Sequence, residues 1–436
     1  MRRKLLWVGD ACVSSGFARA THYTLDVLRK TWDVNVLGIN YRGDPHPYPY
    51  PVYPCYPGGD YLGVGRTVEL VNKIKPDVVV VQNDPWNIPA YLKKTGNVPV
   101  VAALAVDGKN CAGRGLNGVA LAVFWTQFGE AEAKLGGYSG PSAVVPLGVD
   151  LEIYKPANRA EARAKLGLPA NLANGFIAGN VNRNQPRKRL DLSIMYFAEW
   201  IKTQNIEDAY LFLHVAPTGE MGYDVQQLAH YYGIASRMII AEPEIGHGVE
   251  ESALVNTYNC FDVQLSTTQG EGFGLTALEA AACGIPLILP DWSALGELYK
   301  DAAWLVPCTT IACTPNNINV VGGVADRAGT IKALDTLYQS KHGQVWARCR
   351  QRGLAFAHQD RFRWENIGKA FSEALDAALY PTRVQRVDIT TMGDPVPRFI
   401  DVEVPALRTQ QAAVTATDGA VPRSVGAEAP EVGVVC

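Results

Sequence analysis

The sequence predicts an α/β protein built from two doubly wound, Rossmann-like domains with a cleft between them. Three observations predict it. The chain has 436 residues, more than one hydrophobic core ordinarily serves. Apolar runs of strand length alternate with stretches of helical period, the pattern of a parallel sheet covered on both faces. That alternation starts a second time after residue 150.

In the first series, Lys4–Val8, Val34–Leu37, Asp77–Val81, Val98–Ala105, Ala120–Phe124 and Ala143–Val145 read as strands. Each is short and apolar, and several are rich in valine, the residue that suits a buried pleat. Thr21–Lys30, Thr67–Lys75 and Gln127–Leu135 read as helices between them. The second series has strands at Gly175–Gly179, Ala209–His214, Met238–Ile240, Val263–Leu265, Pro286–Leu289 and Trp304–Val306. Its helices are Leu190–Trp200, Val225–Tyr232, Glu250–Asn259, Leu275–Cys283 and Asp326–Gln339. The expected division is a first domain at 1–150, a second at 151–360, a closing helix within 361–380 and an extension at 381–436. The extension loses the helix and strand rhythm. Its Ala/Val/Pro/Gly-rich end offers too little apolar surface to offset ordering entropy, so partial disorder is expected there. Tyr41 to Gly65 holds DPHPYPYPVYPCYPGGDY and reads as an irregular loop with polyproline character, either a surface insert or a lid over a second substrate.

Apolar content of 47% and charged content of 19% describe a globular chain. The formal charge of −3 gives no general attraction to nucleic acid or anionic membranes. No run of about 18 apolar residues is present, so no spanning helix is expected. The N-terminus is basic and then apolar, but it reaches Gly9-Asp10 too soon for a signal peptide and reads as a buried strand. The nine cysteines form no CxxC pair, which suggests reduced thiols and a cytoplasmic location. The seven histidines are scattered without HExxH spacing, so no metal site is expected.

The most informative segment is Gly270-Glu271-Gly272-Phe273-Gly274-Leu275-Thr276-Ala277-Leu278-Glu279-Ala280-Ala281-Ala282-Cys283-Gly284-Ile285-Pro286. Glycines precede a helix that begins at Leu275, and two glutamates stand eight residues apart. Two turns span about seven residues, so both acids can serve one end and face of the helix. The amides of Gly272, Phe273, Gly274 and Leu275 would point out of its N-terminus, where the dipole favours phosphate. Phosphate on amides and hydroxyls on carboxylates is the chemistry of a nucleotide sugar. The competing reading is a buried Ala-rich helix behind a glycine turn.

This segment resembles the donor-site signature of GT-B retaining glycosyltransferases of the glycosyltransferase family 4 type. Tyr258-Asn259-Cys260-Phe261-Asp262-Val263 resembles the stretch before that loop. Pro146-Leu147-Gly148-Val149-Asp150, with Tyr154-Lys155-Pro156, resembles the family's passage into its second domain. The likeness covers roughly residues 1 to 380, weakly in the first half. It implies the GT-B fold, a nucleotide-diphosphate sugar as donor, no other cofactor and transfer with retention. Arg183 and Lys188, five apart in Asn-Arg-Asn-Gln-Pro-Arg-Lys-Arg, match the family's diphosphate-holding pair. Arg189 stands where the family usually has glycine, and Arg187 adds a further charge. Taken alone, that basic run also reads as a solvated turn. The resemblance assigns the donor ribose to Glu279 and the transferred sugar to Glu271. In the first domain, Gly16 matches the glycine of the family's first loop. Asp107 holds the place where the family often has histidine. Asp84, in Gln82-Asn83-Asp84-Pro85-Trp86, ends the preceding strand and is a second acceptor-side candidate, or part of a turn. Trp86 and Trp125 are candidate ring platforms or core residues. The chain has no DxD triplet, which suits metal-independent transfer.

The expected activity is therefore glycosyl transfer to an acceptor hydroxyl. The acceptor stays open among glycan, protein, small molecule and modified nucleic acid, including a modified DNA base as in phage enzymes. A nucleotide-sugar epimerase and a non-catalytic nucleotide- or sugar-binding module are the alternative functions.

Overall fold

The computed structural model describes residues 2–13, 15–55, 59–169, 172, 174–216, 218, 221–241, 249–315 and 318–380. The extension 381–436 lies outside the described residues. A seven-stranded parallel sheet comprises β1 (Lys4–Asp10), β2 (Asp33–Ile39), β3 (Val52–Pro54), β4 (Val78–Asn83), β5 (Val100–Leu104), β6 (Leu121–Phe124) and β7 (Ser142–Val144), in the order β3-β2-β1-β4-β5-β6-β7. A six-stranded parallel sheet comprises β8 (Phe176–Val181), β9 (Ala209–His214), β10 (Met238–Ala241), β11 (Val263–Leu265), β12 (Leu287–Pro290) and β13 (Trp304–Val306), in the order β10-β9-β8-β11-β12-β13. Both orders reverse direction beside the first strand of their sheet. Crevices at such reversals, outside the carboxyl ends of the strands, are where doubly wound sheets take ligands. The reversal between β1 and β4, and that between β8 and β11, therefore locate the cleft floor.

The pleat explains why the strands read as continuous apolar runs. Leu5 and Trp7 of β1 face one core, while Leu6 and Val8 face another on the opposite side of the same sheet. The second sheet is covered in the same way on both faces.

Three local differences from the sequence reading have physical causes. The first helix runs Gly16–Leu28, starting before Thr21, because Ser15 caps it: its hydroxyl accepts from the Ala18 amide at 3.0 Å. The sequence also offers Ser14 as a cap for this helix, but that residue lies outside the described residues. The Tyr41–Gly65 segment is not wholly irregular, for it contains β3, which pairs with β2 through Val36–Val52 and Gly38–Pro54. A proline is tolerated there because β3 is the sheet edge. The hairpin of β14 (Cys308–Cys313) and β15 (Val321–Ala325), and the helix Gln344–Ala357, carry no counterpart in the sequence reading. Both lie after the last strand of the second sheet, where the βα rhythm no longer guides.

The last described helix, Trp364–Leu379, lies against the first domain. Phe371 packs on Trp7 with ring centroids 5.3 Å apart, and Trp364 stacks on Tyr23 at 5.0 Å. Where the chain passes from the first sheet to the second, Val149 donates its amide to the Phe362 carbonyl at 3.0 Å. A Cβ on Gly148 would stand 2.6 Å from that carbonyl oxygen, so only glycine allows this approach.

Candidate active site

The carboxyl ends of both sheets face a cleft of about 1470 Å³ lined from both domains. That exceeds the 300–1,000 Å³ of most small-molecule pockets and is enough for two substrates together.

On the second domain, the loop after β8 leads into the helix Leu190–Thr203. Arg189 takes the left-handed conformation there, with φ 49° and ψ 48°. This is the backbone that glycine supplies most cheaply, and Arg189 adopts it while Asp191 holds its guanidinium at 2.9 and 3.0 Å. The turn aims Arg187 and Lys188 at the glycine-rich loop. Lys188 Nζ pairs with Glu271 Oε1. Arg187 reaches the Gly270 carbonyl at 3.0 Å, Glu271 Oε2 at 3.4 Å and, across the cleft, Asp107 Oδ2 at 3.1 Å. Burial alone would raise the Glu271 carboxyl, but the charges of Lys188 and Arg187 outweigh it and hold it below the ordinary range. Burial, with Arg187 beside it, pushes Lys188 below the usual lysine range.

Arg183 lines the cleft from an exposed position, and its charge bears on Asp10 across it. The two cations gathered on Glu271 are thus Arg187 and Lys188, with Arg183 at the rim. The sequence reading names Arg187 only as a further charge beside the pair Arg183 and Lys188.

The helix Leu275–Ala282 starts without a side-chain cap, at Gly274 with φ 89°. Gly16, opening the first-domain helix, lies close by: a Cβ there would meet Leu275 Cδ1 at 3.3 Å. The glycine loop sits hard against the end of the first sheet, where a Cβ on Gly272 would stand 2.7 Å from that of Ala105. Two amides of this loop already have partners. The Gly272 amide donates to the Asp107 carboxylate, and the Glu271 amide donates to Ser293 Oγ at 3.0 Å. Phe273 is buried and packs edge-on against Phe362.

Glu279 is 3% exposed, and both its oxygens are engaged. Tyr258 Oη donates to Oε2 at 2.6 Å, and Arg19 of the first domain pairs with Oε1. Arg19 also donates to Tyr154 Oη at 2.9 Å. Burial raises the Glu279 carboxyl, against the opposing pull of Arg19 and Tyr258. Arg19 and Ser293 were missed in the sequence. Arg19 lies 260 residues from its partner, and the only hint was its position one helical turn from Gly16.

The first domain contributes three carboxylates from neighbouring strand ends. Asp10 ends β1 and accepts from Ser15 Oγ at 2.7 Å, and burial raises its carboxyl. Asp84, just past β4, is pushed up to about 7 by burial and then by Asp107. Asp107, just past β5, is raised by burial against the pull of Arg187. Above them, Trp86 stands 38% exposed at the cleft, while Trp125 is buried against Phe17 with centroids 5.2 Å apart. Among the described residues no cluster of His, Cys, Asp and Glu has metal-ligand geometry, and no helix is long and apolar enough to cross a membrane.

Comparison with known proteins agrees with this architecture. Residues 128–329 match the family model described as family 4 glycosyltransferase in conflict systems. A D-inositol 3-phosphate glycosyltransferase of Acidothermus cellulolyticus is 31% identical over 182 residues, 41% of this chain and 39% of that protein. The chain spans less than half the length of the curated relatives it matches, 48% for the relative from Nocardia farcinica. Among solved structures, sucrose-phosphate synthase of Thermosynechococcus elongatus superposes with a TM-score of 0.69 at 18% identity, over 87% of this chain and 100% of that one. HepE of Anabaena, in complex with UDP and glucose, gives 0.65 at 18%, over 86% and 100%. The match over residues 128–329 makes that part of the chain similar to family 4 glycosyltransferases, and the paired sheets give the GT-B fold.

Proposed function

We propose that this protein transfers a sugar from a nucleotide-diphosphate sugar to an acceptor hydroxyl, with retention of configuration and without a metal ion. The observation that carries the reading is the pair Arg187 and Lys188 gathered on Glu271, directly before an uncapped helix N-terminus, inside the interdomain cleft.

Leaving-group departure needs fixed positive charge where the diphosphate develops negative charge. Arg187, Lys188 and Arg183 supply it, together with the first amides of the helix Leu275–Ala282. Binding the diphosphate would release Arg187 from Asp107 and Gly272 from the same carboxylate. Glu271 then accepts hydroxyls of the transferred sugar, and Glu279 accepts those of the ribose once Arg19 gives way. In the step itself, the acceptor oxygen forms a bond to the anomeric carbon on the face from which the diphosphate leaves. The bond from that carbon to the phosphate oxygen breaks, and the acceptor proton passes to the departing diphosphate. No protein nucleophile is required. The UDP and UDP-glucose complexes of the structurally similar HepE make UDP-sugars the first donors to examine.

The test is a donor screen by nucleotide release, followed by NMR of the product's anomeric configuration. The expected result is one preferred nucleotide sugar, a retained anomer and activity that survives EDTA. An inverted product, or activity lost in EDTA and restored by manganese, overturns the mechanism.

A further inference from the structure

The first-domain wall of the cleft has a definite chemical character. Its charged lining residues are the acids Asp10, Asp26, Asp84 and Asp107 and one cation, Arg19, which is committed to Glu279 and Tyr154. His22 adds no charge. Burial lowers it to about 4, and its two nitrogens lie 2.6 Å from Tyr50 Oη and the Ala11 carbonyl. The same wall is aromatic. Tyr48, from the proline- and tyrosine-rich segment, lies face to face on His22, with centroids 3.4 Å apart and planes 9° apart. Tyr50 lies nearly parallel to Tyr48, at 6.1 Å and 8°. Trp86 presents an exposed ring to the cleft.

We propose that this wall is an acceptor subsite for an uncharged sugar or polyol ring, and that it rejects phosphorylated acceptors. The inference rests on the glycosyl-transfer reading above and narrows its second substrate.

The argument is one of donors and charge. A sugar hydroxyl both donates and accepts, which suits ionised Asp10 and Asp107 as acceptors and Asp84, raised to about 7, in either protonation state. Three acids at adjacent strand ends therefore suit a ring rich in hydroxyls. The C–H face of such a ring carries slight positive charge and lies favourably on the negative face of an aromatic ring. A phosphate dianion offers no donor to these carboxylates, repels them, and finds no uncommitted cation among the described residues of this wall. The same repulsion acts on a nucleic-acid backbone. The curated relatives are named D-inositol 3-phosphate glycosyltransferases, so a wall that rejects phosphate would set the present chain apart from that name.

The test uses acceptors that differ only in a phosphate: myo-inositol against myo-inositol 1-phosphate, and methyl glucoside against glucose 6-phosphate. A duplex carrying hydroxymethylated pyrimidines is a third arm. Two readouts are taken: acceptor-dependent nucleotide release, and tryptophan fluorescence titration of the same acceptors in the presence of UDP. The neutral member of a pair should bind and react at least tenfold better than its phosphate. Trp86→Ala and Tyr48→Ala should raise acceptor KM at least tenfold and leave donor affinity within twofold, while Tyr48→Phe should retain most acceptor binding. Asp84→Asn should narrow the discrimination against phosphate. A preference for the phosphorylated member, transfer to the duplex alone, or unchanged acceptor KM in both aromatic variants overturns the proposal while leaving glycosyl transfer in place. Failure of every nucleotide sugar to bind removes the underlying reading, and this one with it.

Discussion

Removing the Arg19 side chain tests whether the two domains are joined through Glu279. Glu279 keeps 4% of its side-chain surface, and Arg19 keeps 24%. Breaking a buried ion pair from one side costs about 3–5 kcal/mol, because the surviving charge is left without a partner. Arg19's partial exposure and the remaining Tyr258 bond place Arg19→Met near the lower end, about 3 kcal/mol at pH 8. For a domain of this size that is a fall of roughly 6–12 °C in melting temperature. The pH dependence has a definite sign. Glu279 is already raised by burial, and Arg19 is the main group holding it down, so the variant raises it further. A carboxyl raised in the folded state stabilises when protonated and loses that stabilisation as pH climbs through its folded value. The deficit should therefore be large at pH 8 and less than half as large at pH 5. Saturating donor should also narrow the gap, since ribose hydroxyls would replace Arg19 on Glu279. Thermal melts at the two pH values, with and without nucleotide sugar, provide the measurement. A deficit below about 1 kcal/mol, or one equal at both pH values, would refute the reasoning.

Other expectations follow from the same geometry. Arg187→Ala and Lys188→Ala should each lower kcat at least tenfold, with Arg187 costing more than Arg183→Ala; steady-state kinetics on the three variants decides this. Asp262 is fully buried between Arg163 at 2.8 Å and Arg159 at 2.9 Å, so Asp262→Ala should cost about 3–5 kcal/mol in a urea melt. Asp84, raised to about 7, contributes stability below its unfolded value near pH 4 that is lost as pH rises through 7. Asp84→Asn should therefore flatten the pH dependence of stability between those limits, and an unchanged slope would show that Asp84 ionises normally.

The element pattern was legible because it is local. A strand buried on both faces must be apolar at nearly every position, and Val78–Asn83 or Leu121–Phe124 shows this without knowledge of its neighbours. The glycine-rich loop was legible for the same reason: its glycines, Glu271 and Glu279 lie within one short segment. Strand β3 was hidden because prolines mask an edge strand whose only evidence is its pairing with β2. What tertiary structure decided was the company each charge keeps. Arg183, Arg187, Lys188 and Arg189 stand close together in one basic run, yet one left-handed residue turns two of them onto Glu271 and leaves another on Asp191. Arg19 meets Glu279, and Asp107 meets Arg187, only because two separately wound sheets place their carboxyl ends face to face. Hydrophobic periodicity is set within a few residues, whereas the partner of a buried charge is set by where distant segments come to rest.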